Sequence, residues 1–203
     1  HLKNIFNNYD HFIIDLWGVV HNGIKPYEGA IKTIEELYNN NKNYVFLSNA
    51  PRPVYDVRKF LIEKMQINEK FLNNILTSGE AAINSIKNFS YGKLFFHLGP
   101  ERDSKIFEGL ENYKTELDKC DYILCTGLYD SEMDKLNFYE KLLKNSTDKK
   151  MICTNPDLIV DRGDIRELCA GSVAMVFEKM GGEVVYFGKP HSEVYNQSID
   201  NKN

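Results

Sequence analysis

The segment HFIIDLWGVVHNG, residues 11–23, holds a short apolar run that ends in an acid, and soon after it the only tryptophan of the chain. An apolar run of this length is typical of a strand buried in a parallel sheet. The carboxyl ends of such strands open onto the cleft where ligands bind. We therefore expect Asp15 to lie in a functional cleft, with a partner there, because a buried acid without one is unfavourable.

Strand-like and helix-like segments alternate along the rest of the chain, which favours an α/β fold with parallel sheets. The spacing of Thr77 and Glu80 predicts a capping box at one helix start. The predicted strands are 11–15, 43–49, the start of 73–88, 93–99, 121–128, 150–157 and the start of 183–197. The predicted helices are 26–40, 52–65, the rest of 73–88, 131–145, 167–182 and the rest of 183–197. The glycines at its C-terminal end are expected to stop the helix 167–182.

The composition of the 203 residues narrows the class of protein. Hydrophobic residues make up 42% and charged residues 27%, and the net charge is -4 without a basic block, so a nucleic-acid partner is not expected. No apolar stretch approaches the roughly 20 residues that span a bilayer, and no leader is visible, so no membrane partner is expected either. The four cysteines form no CxxC pair. We interpret them as free thiols and expect a cytoplasmic protein.

Three predicted strand ends carry reactive side chains, namely Asp15, the pair Ser48 and Asn49, and Lys189. An aspartate can attack phosphorus and form an acyl-phosphate, which divides one difficult displacement into two. Hydroxyls, amides, a lysine and a metal ion are the groups that neutralise phosphoryl oxygens. Together these residues predict a site for phosphoryl chemistry.

Three segments, DLWGVVHNG (15–23), LSNAPRP (47–53) and FGKPHSEVY (187–195), resemble the first three motifs of the haloacid dehalogenase (HAD) superfamily. TNPD (154–157) and GSVAMVFEKMGG (171–182) make the chain similar to class IIA, NagD-type members. The resemblance implies a Rossmannoid parallel-sheet core, residues 1–78 plus 184–203. It also implies an inserted α/β cap of the C2 type, residues 79–183.

The resemblance also implies roles for individual residues. Asp15 would be the nucleophile and a ligand of Mg²⁺, and the main-chain carbonyl of Trp17 would be a second ligand. Amides around Trp17 and Gly18, together with Ser48 and Asn49, would hold the phosphate. Lys189 would neutralise the nucleophile and the transferring group.

The chain departs from the family pattern in two places. Phosphatases of the family carry a second aspartate where this chain has Trp17, and that acid moves the protons of the reaction, an effect worth roughly 10²–10⁴ in rate. The fourth motif, an acidic pair that completes the metal shell, does not follow Lys189 before the chain ends at Asn203. We expect the source protein to continue beyond Asn203 and the displayed sheet to lack its last strands.

Other residues near the motifs have two interpretations each. Trp17 either packs in the core or shapes the leaving-group side of the cleft, and His21 is either a surface histidine or a substitute acid. Arg52 either binds a substrate anion or begins a helix at the surface. Asn155 and Asp157 are interpreted as turn residues, and their match to the family implies a structural role near the cleft, not a catalytic one.

The expected function is that of a Mg²⁺-dependent phosphohydrolase that acts on a small phosphorylated metabolite, a sugar phosphate or a nucleotide, through an aspartyl-phosphate on Asp15. Two alternatives stay open because Trp17 replaces the second acid. One is another reaction of the superfamily, namely dehalogenation, phosphonate cleavage or phosphotransfer. The other is a member without activity that binds a phosphorylated ligand or a partner protein. Neither the substrate nor the oligomeric state follows from the sequence.

Overall fold

The computed structural model describes residues 4–200, except for the side chains of 193, 199 and 200. The strands are β1 (His11–Ile14), β2 (Asn43–Ser48), β3 (Ile75–Thr77), β4 (Phe95–Leu98), β5 (Tyr122–Cys125), β6 (Lys150–Cys153), β7 (Ile159–Arg162), β8 (Ile165–Leu168) and β9 (Glu183–Tyr186). The helices are α1 (Glu28–Asn39), α2 (Val54–Glu63), α3 (Ser78–Lys87), α4 (Leu136–Leu143), α5 (Ala170–Lys179) and α6 (Ser192–Asp200). The α/β fold class with parallel sheets is confirmed.

The first sheet has the order β1-β2-β3, and both of its pairings are parallel. Alternate residues of a strand point to opposite faces, so neighbouring residues enter different layers. Phe46 packs on one face, with residues of α1 and α2, and Leu47 on the other, with residues of α3. Both faces are therefore covered by helices, as expected for a parallel sheet.

The second sheet is also parallel, with the order β4-β5-β6-β9. The expected domain boundary at residue 184 falls inside β9, which pairs with β6 from Lys150↔Glu183 to Cys153↔Tyr186. The division into two domains stays a prediction. The chain leaves the second sheet only after Tyr186. It then reaches Lys189, which contacts the first sheet.

Helix α3 lies between the two sheets. Its buried side chains Ala81, Ala82, Ile83 and Ile86 share one apolar cluster with Leu47 of the first sheet and with residues of the second. The far face of the second sheet packs against α4 and α5 in a separate cluster. The layers thus run from α1 and α2 through the first sheet, α3 and the second sheet to α4 and α5.

Strands β7 and β8 form an antiparallel hairpin that the sequence pattern did not predict. The predicted helix 167–182 begins later, at Ala170, because Glu167 and Leu168 pair with Val160 and Ile159 in this hairpin. The predicted helix 131–145 likewise begins later, at Leu136, after a short 3₁₀ turn.

The predicted capping box forms only in part, and the glycines end their helix as expected. Thr77 accepts a hydrogen bond from the Glu80 amide at 3.0 Å, which is half of the capping box. The Glu80 carboxylate instead accepts from the Val54 amide at 3.1 Å and so caps α2. Helix α5 ends at Lys179, just before Gly181, which adopts a positive φ of 93°.

The four cysteines are free and buried, which confirms the expectation of unpaired thiols. Within residues 4–200, no helix combines the length and the apolar character needed to cross a bilayer.

Candidate active site

The ends of β1 and β2 and the segment after β9 meet in one cleft. The cleft has a volume of about 1350 Å³, and Asp15, Trp17, Gly18, Ser48, Asn49 and Arg52 are among the residues that line it. Parallel pairing of β1 with β2 puts Asp15 and Ser48 at the same edge of the sheet. The structure therefore brings these predicted residues together, while the roles predicted for them remain predictions.

Lys189 and Asp15 form the centre of the site. The Lys189 Nζ donates to Asp15 Oδ1 at 2.6 Å and to the main-chain carbonyl of Leu47 at 2.8 Å. The Asp15 side chain keeps 39% of its surface exposed, and its Oδ2 has no hydrogen-bond partner among the residues that the structure describes. One carboxylate oxygen is thus fixed, while the other faces the cleft.

Asn49 connects three segments of the site. Its Nδ2 donates to Asp157 Oδ1 at 2.9 Å and to the Lys189 carbonyl at 3.0 Å, and its Oδ1 accepts from the Lys189 amide at 2.7 Å. All polar atoms of the side chain are therefore used within the protein. Asn49 lines the cleft as expected, but in this structure it positions Lys189 and Asp157.

Gly188 makes this connection possible because a Cβ at its α-carbon would lie 2.7 Å from the Asn49 Oδ1. Its φ of 126° is also a conformation that other residues avoid. The peptide bond between Lys189 and Pro190 is cis.

The phosphate-binding groups expected at the strand ends are free only in part. The Ser48 hydroxyl accepts from the Ala50 amide at 3.3 Å and donates to no residue that the structure describes. The Gly18 amide, in contrast, donates to the His21 carbonyl at 2.7 Å, so it is not free to bind phosphate in this conformation. The Trp17 amide has no acceptor within residues 4–200.

The Trp17 side chain contacts the β7–β8 hairpin. Its Nε1 donates to the Asp161 carbonyl at 2.8 Å, and the Arg162 guanidinium carbon lies 5.4 Å from its ring centroid, within cation–π range. A Cβ on Gly23 would approach the ring to 2.5 Å, so this position requires glycine. Trp17 therefore forms part of the cleft wall, while a role in shaping the leaving-group side stays a prediction.

His21 lies beneath Trp17 and is 3% exposed. Its ring packs edge-on against Trp17 and Phe60, and its Nδ1 accepts from the Gly23 amide at 3.0 Å. Burial lowers the pKa of His21 to about 4, although the negative charge of Asp15 opposes this shift. A histidine of this kind is neutral near pH 7. Its burial shows that the interpretation as a surface histidine is wrong.

Arg52 pairs with a buried acid of the second half of the chain. Its Nε donates to Asp103 Oδ1 at 2.7 Å, and the Asp103 side chain is only 4% exposed. Burial raises the pKa of Asp103, and Arg52 opposes this effect. Arg52 is therefore not a free surface residue, and it still lines the cleft where a substrate anion would bind.

Sequence reasoning missed the contacts of Asp157 and Asp103 and the hairpin beside Trp17. Asn49 and Asp157 are 108 positions apart, and no local pattern indicates that they meet. The turn at Gly163, between the β-branched residues Ile159 and Val160 and the β-branched Ile165, is the signal that could have indicated the hairpin.

The donor atoms at the end of β1 suit a hard cation. The Asp15 Oδ2 and the Trp17 carbonyl are oxygens that accept no hydrogen bond from the described residues. Mg²⁺ is commonly held by one or two carboxylates, with water and substrate phosphate as the remaining ligands. Within residues 4–200 there is no cluster of three His, Cys, Asp or Glu side chains. The set therefore fits Mg²⁺ bound through one carboxylate.

Comparisons with known proteins agree on one superfamily. The family model of the haloacid dehalogenase-like hydrolases matches residues 12–112. A hydrolase of the haloacid dehalogenase-like family from Brucella suis 1330 is 30% identical, with a TM-score of 0.91, over 99% of this chain and 77% of its own. No curated protein matches the chain.

Two further solved structures share the fold at lower identity. The 4-nitrophenylphosphatase from Thermotoga maritima is 23% identical, with a TM-score of 0.70, over 97% of this chain and 75% of its own. A possible sugar phosphatase from Cytophaga hutchinsonii is 18% identical, with a TM-score of 0.75, over 98% and 74%. Together with the match to the Brucella protein and the cleft at the strand ends, they lead to one conclusion: this chain belongs to the haloacid dehalogenase-like hydrolases.

Proposed function

We propose that the protein is a phosphohydrolase of class IIA that acts on a small phosphorylated metabolite through an aspartyl-phosphate on Asp15. The pairing of Asp15 with Lys189 at 2.6 Å, in a cleft at the ends of parallel strands, is the observation that carries this proposal. The ammonium group of Lys189 lies directly beside the carboxylate that would attack. The named activities of the Thermotoga and Cytophaga proteins support the same reaction.

The residues of the cleft would act in sequence on the phosphoryl group. The Asp15 carboxylate attacks phosphorus, while Lys189 stays beside it and faces the charge of the phosphoryl oxygens. The free Ser48 hydroxyl and the Trp17 amide donate hydrogen bonds to those oxygens. Donors fixed in advance in this way can lower a barrier by several kcal/mol.

Mg²⁺ would be held by Asp15 and by the Trp17 carbonyl. When bound, it supplies positive charge that neutralises the phosphoryl oxygens. Asp15 is also oriented without the ion, because the Leu16 amide donates to its Oδ1 at 2.8 Å.

The second sheet and its hairpin would act as a cap that selects the substrate. The inserted segment begins near residue 79 and, since β9 pairs with β6, extends to Tyr186. A cleft of about 1350 Å³ is larger than a phosphate requires, which suits a sugar phosphate or a nucleotide. The net charge of -4 gives no reason to expect nucleic acid, and the free thiols suit the cytoplasm.

Trp17 favours a second candidate within the same superfamily. A reaction whose leaving group needs no proton, such as the loss of halide from carbon, can proceed without an acid at position 17. A member that only binds its ligand would lack turnover altogether.

The test is to assay phosphate esters, a phosphonate and a haloacid, with and without Mg²⁺, in the wild type and in Asp15→Asn. We expect ester hydrolysis that needs Mg²⁺ and is lost in Asp15→Asn, with an unchanged melting temperature. Turnover of the haloacid alone would establish the second candidate, and ester hydrolysis that survives in Asp15→Asn would exclude the proposed mechanism.

A further inference from the structure

Hydrolysis of an unactivated ester requires a group that donates a proton to the leaving oxygen, and position 17 cannot supply it. The indole nitrogen of Trp17 has no proton to give at useful pH, and it is bound to Asp161. His21 lies nearby, but burial lowers its pKa to about 4, so its ring is neutral near pH 7 and is a poor proton donor. The donor has to be sought among the other acids of the cleft.

Besides Asp15, five acids line the cleft. Three of them are paired with arginines, namely Asp103 with Arg52, Asp161 with Arg166 and Glu167 with Arg162. A fourth, Asp164, is exposed near the tip of the hairpin and makes no described contact with the catalytic residues. The fifth, Asp157, is connected to Lys189 through Asn49.

Asp157 is linked to Lys189 by two hydrogen bonds through Asn49. Its Oδ1 accepts from Asn49 Nδ2 at 2.9 Å, and the same nitrogen donates to the Lys189 carbonyl at 3.0 Å. Its Oδ2 has no hydrogen-bond partner among the described residues, so that oxygen is free to carry a proton.

The loop that bears Asp157 is held firmly. The Asp157 amide donates to Asn155 Oδ1 at 3.1 Å, and the Asp157 carbonyl accepts from the Gly171 amide at 3.1 Å. A Cβ on Gly171 would lie 2.2 Å from the Pro156 carbonyl oxygen, so α5 can approach this loop only because position 171 is glycine. The carboxyl group is therefore placed by the backbone of the second half of the chain.

We propose that Asp157 is the general acid and base of this enzyme, an assignment that rests on the phosphohydrolase function proposed above. In the first step Asp15 bonds to phosphorus, the bond from phosphorus to the leaving oxygen breaks, and the Asp157 proton moves to that oxygen. In the second step water attacks the aspartyl-phosphate, Asp157 takes a proton from the water, and the bond from phosphorus to Asp15 breaks. Alcohol and phosphate leave, and both side chains return to their initial protonation states.

The position and surroundings of Asp157 suit this role. Asp157 lines the same cleft as Asp15, where the leaving group of a bound ester would also lie. More than a third of the residue stays accessible, but desolvation of the carboxyl raises its pKa, against the effects of Asn49 and Lys189. The negative charge of Asp15 raises it further, and the thiols of Cys153 and Cys169 are its other titratable neighbours. A bound phosphate dianion adds to the same effect.

The test compares two leaving groups in the wild type, Asp157→Asn and Asp157→Glu. Nitrophenolate is a stable anion that leaves without being protonated, whereas the glycerol oxygen of glycerol phosphate has to receive a proton as it leaves. In Asp157→Asn we expect a first-turnover burst of nitrophenolate to survive, with slow steady-state turnover because the second step lacks its base. We expect the rate with glycerol phosphate to fall by roughly 10²–10⁴-fold without a burst. Asp157→Glu should recover part of both activities because it restores an acid.

Asp164→Asn is the matched control, since it neutralises another acid of the cleft, and its effect should be the same for both esters. An equal loss for both esters in Asp157→Asn, without a nitrophenolate burst, would show that Asp157 only positions Asn49 and would overturn the assignment. Undiminished hydrolysis of glycerol phosphate would overturn it too. A wild type that hydrolyses neither ester would overturn the proposed function itself, and the assignment with it.

Discussion

Replacing Trp17 with phenylalanine removes the hydrogen bond from its Nε1 to the Asp161 carbonyl and keeps an aromatic ring in the cleft wall. A neutral hydrogen bond contributes about 0.5–1.5 kcal/mol. The weaker attraction of the Arg162 guanidinium to a phenyl ring adds a few tenths of a kcal/mol. The change therefore destabilises the contact between the end of β1 and the β7–β8 hairpin by about 1–1.5 kcal/mol, which corresponds to a roughly five- to tenfold larger opening constant.

Native-state hydrogen exchange measures this opening directly. We expect the amides of residues 159–168 to exchange five- to tenfold faster in Trp17→Phe, while those of β5 and β6 keep their rates. Tyr139→Phe is the control, because away from the hairpin it removes the hydroxyl that accepts from the Tyr129 amide at 2.7 Å and donates to the Glu132 carbonyl. Unchanged exchange of the hairpin amides in Trp17→Phe would mean that the hydrogen bond of Trp17 does not stabilise the hairpin and would contradict our interpretation. The hydrogen bond from the Gly163 amide to the Asn22 carbonyl would then account for the contact between the hairpin and the segment after β1.

Two further predictions follow from charged and titratable groups. Lys189→Met should lower kcat/KM by roughly 10²–10³-fold. The free energy of unfolding should change by less than about 1 kcal/mol, because the pair with Asp15 is partly exposed. Steady-state kinetics and urea unfolding test these two expectations, and a loss of activity below tenfold would count against a catalytic lysine. Burial lowers the pKa of both His21 and His97 to about 4, so the unfolded chain binds protons first as the pH falls. The two histidines therefore contribute their full share to the free energy of unfolding above pH 6.5, and this share decreases towards pH 4, by about 2 kcal/mol per histidine at pH 5. Urea unfolding at pH 7.5 and at pH 5 measures the difference. Equal free energies of unfolding at the two pH values would contradict the burial effect.

Local sequence patterns predict most of the elements because these depend on the spacing of apolar residues. Helix α1, predicted over 26–40, extends over Glu28–Asn39, and strand β2, predicted over 43–49, over Asn43–Ser48. The hairpin at 159–168 was missed because its strands are largely exposed and show no clean alternation. The sheet to which β9 belongs was also missed, because pairing between distant strands leaves no mark on the local pattern.

The candidate site divides in the same way. Asp15 and Lys189 could be predicted because each follows an apolar run, and the structure brings them within 2.6 Å. The partners of Asn49 and Arg52 could not, since Asp157 and Asp103 come from the other half of the chain. The neutral state of His21 likewise depends on burial under Trp17 and against Phe60, which only the folded chain creates.

Trapping the covalent intermediate tests the proposed chemistry at its first step. The wild type is mixed with an excess of 4-nitrophenyl phosphate and Mg²⁺, quenched in acid, and reduced with borohydride, which converts an aspartyl-phosphate into homoserine. Mass spectrometry of the peptide that contains residues 11–23 should then locate homoserine at Asp15, and Asp15→Asn should show none. Active enzyme without the modification, or with the modification at another residue, would contradict the assignment of Asp15 as the nucleophile.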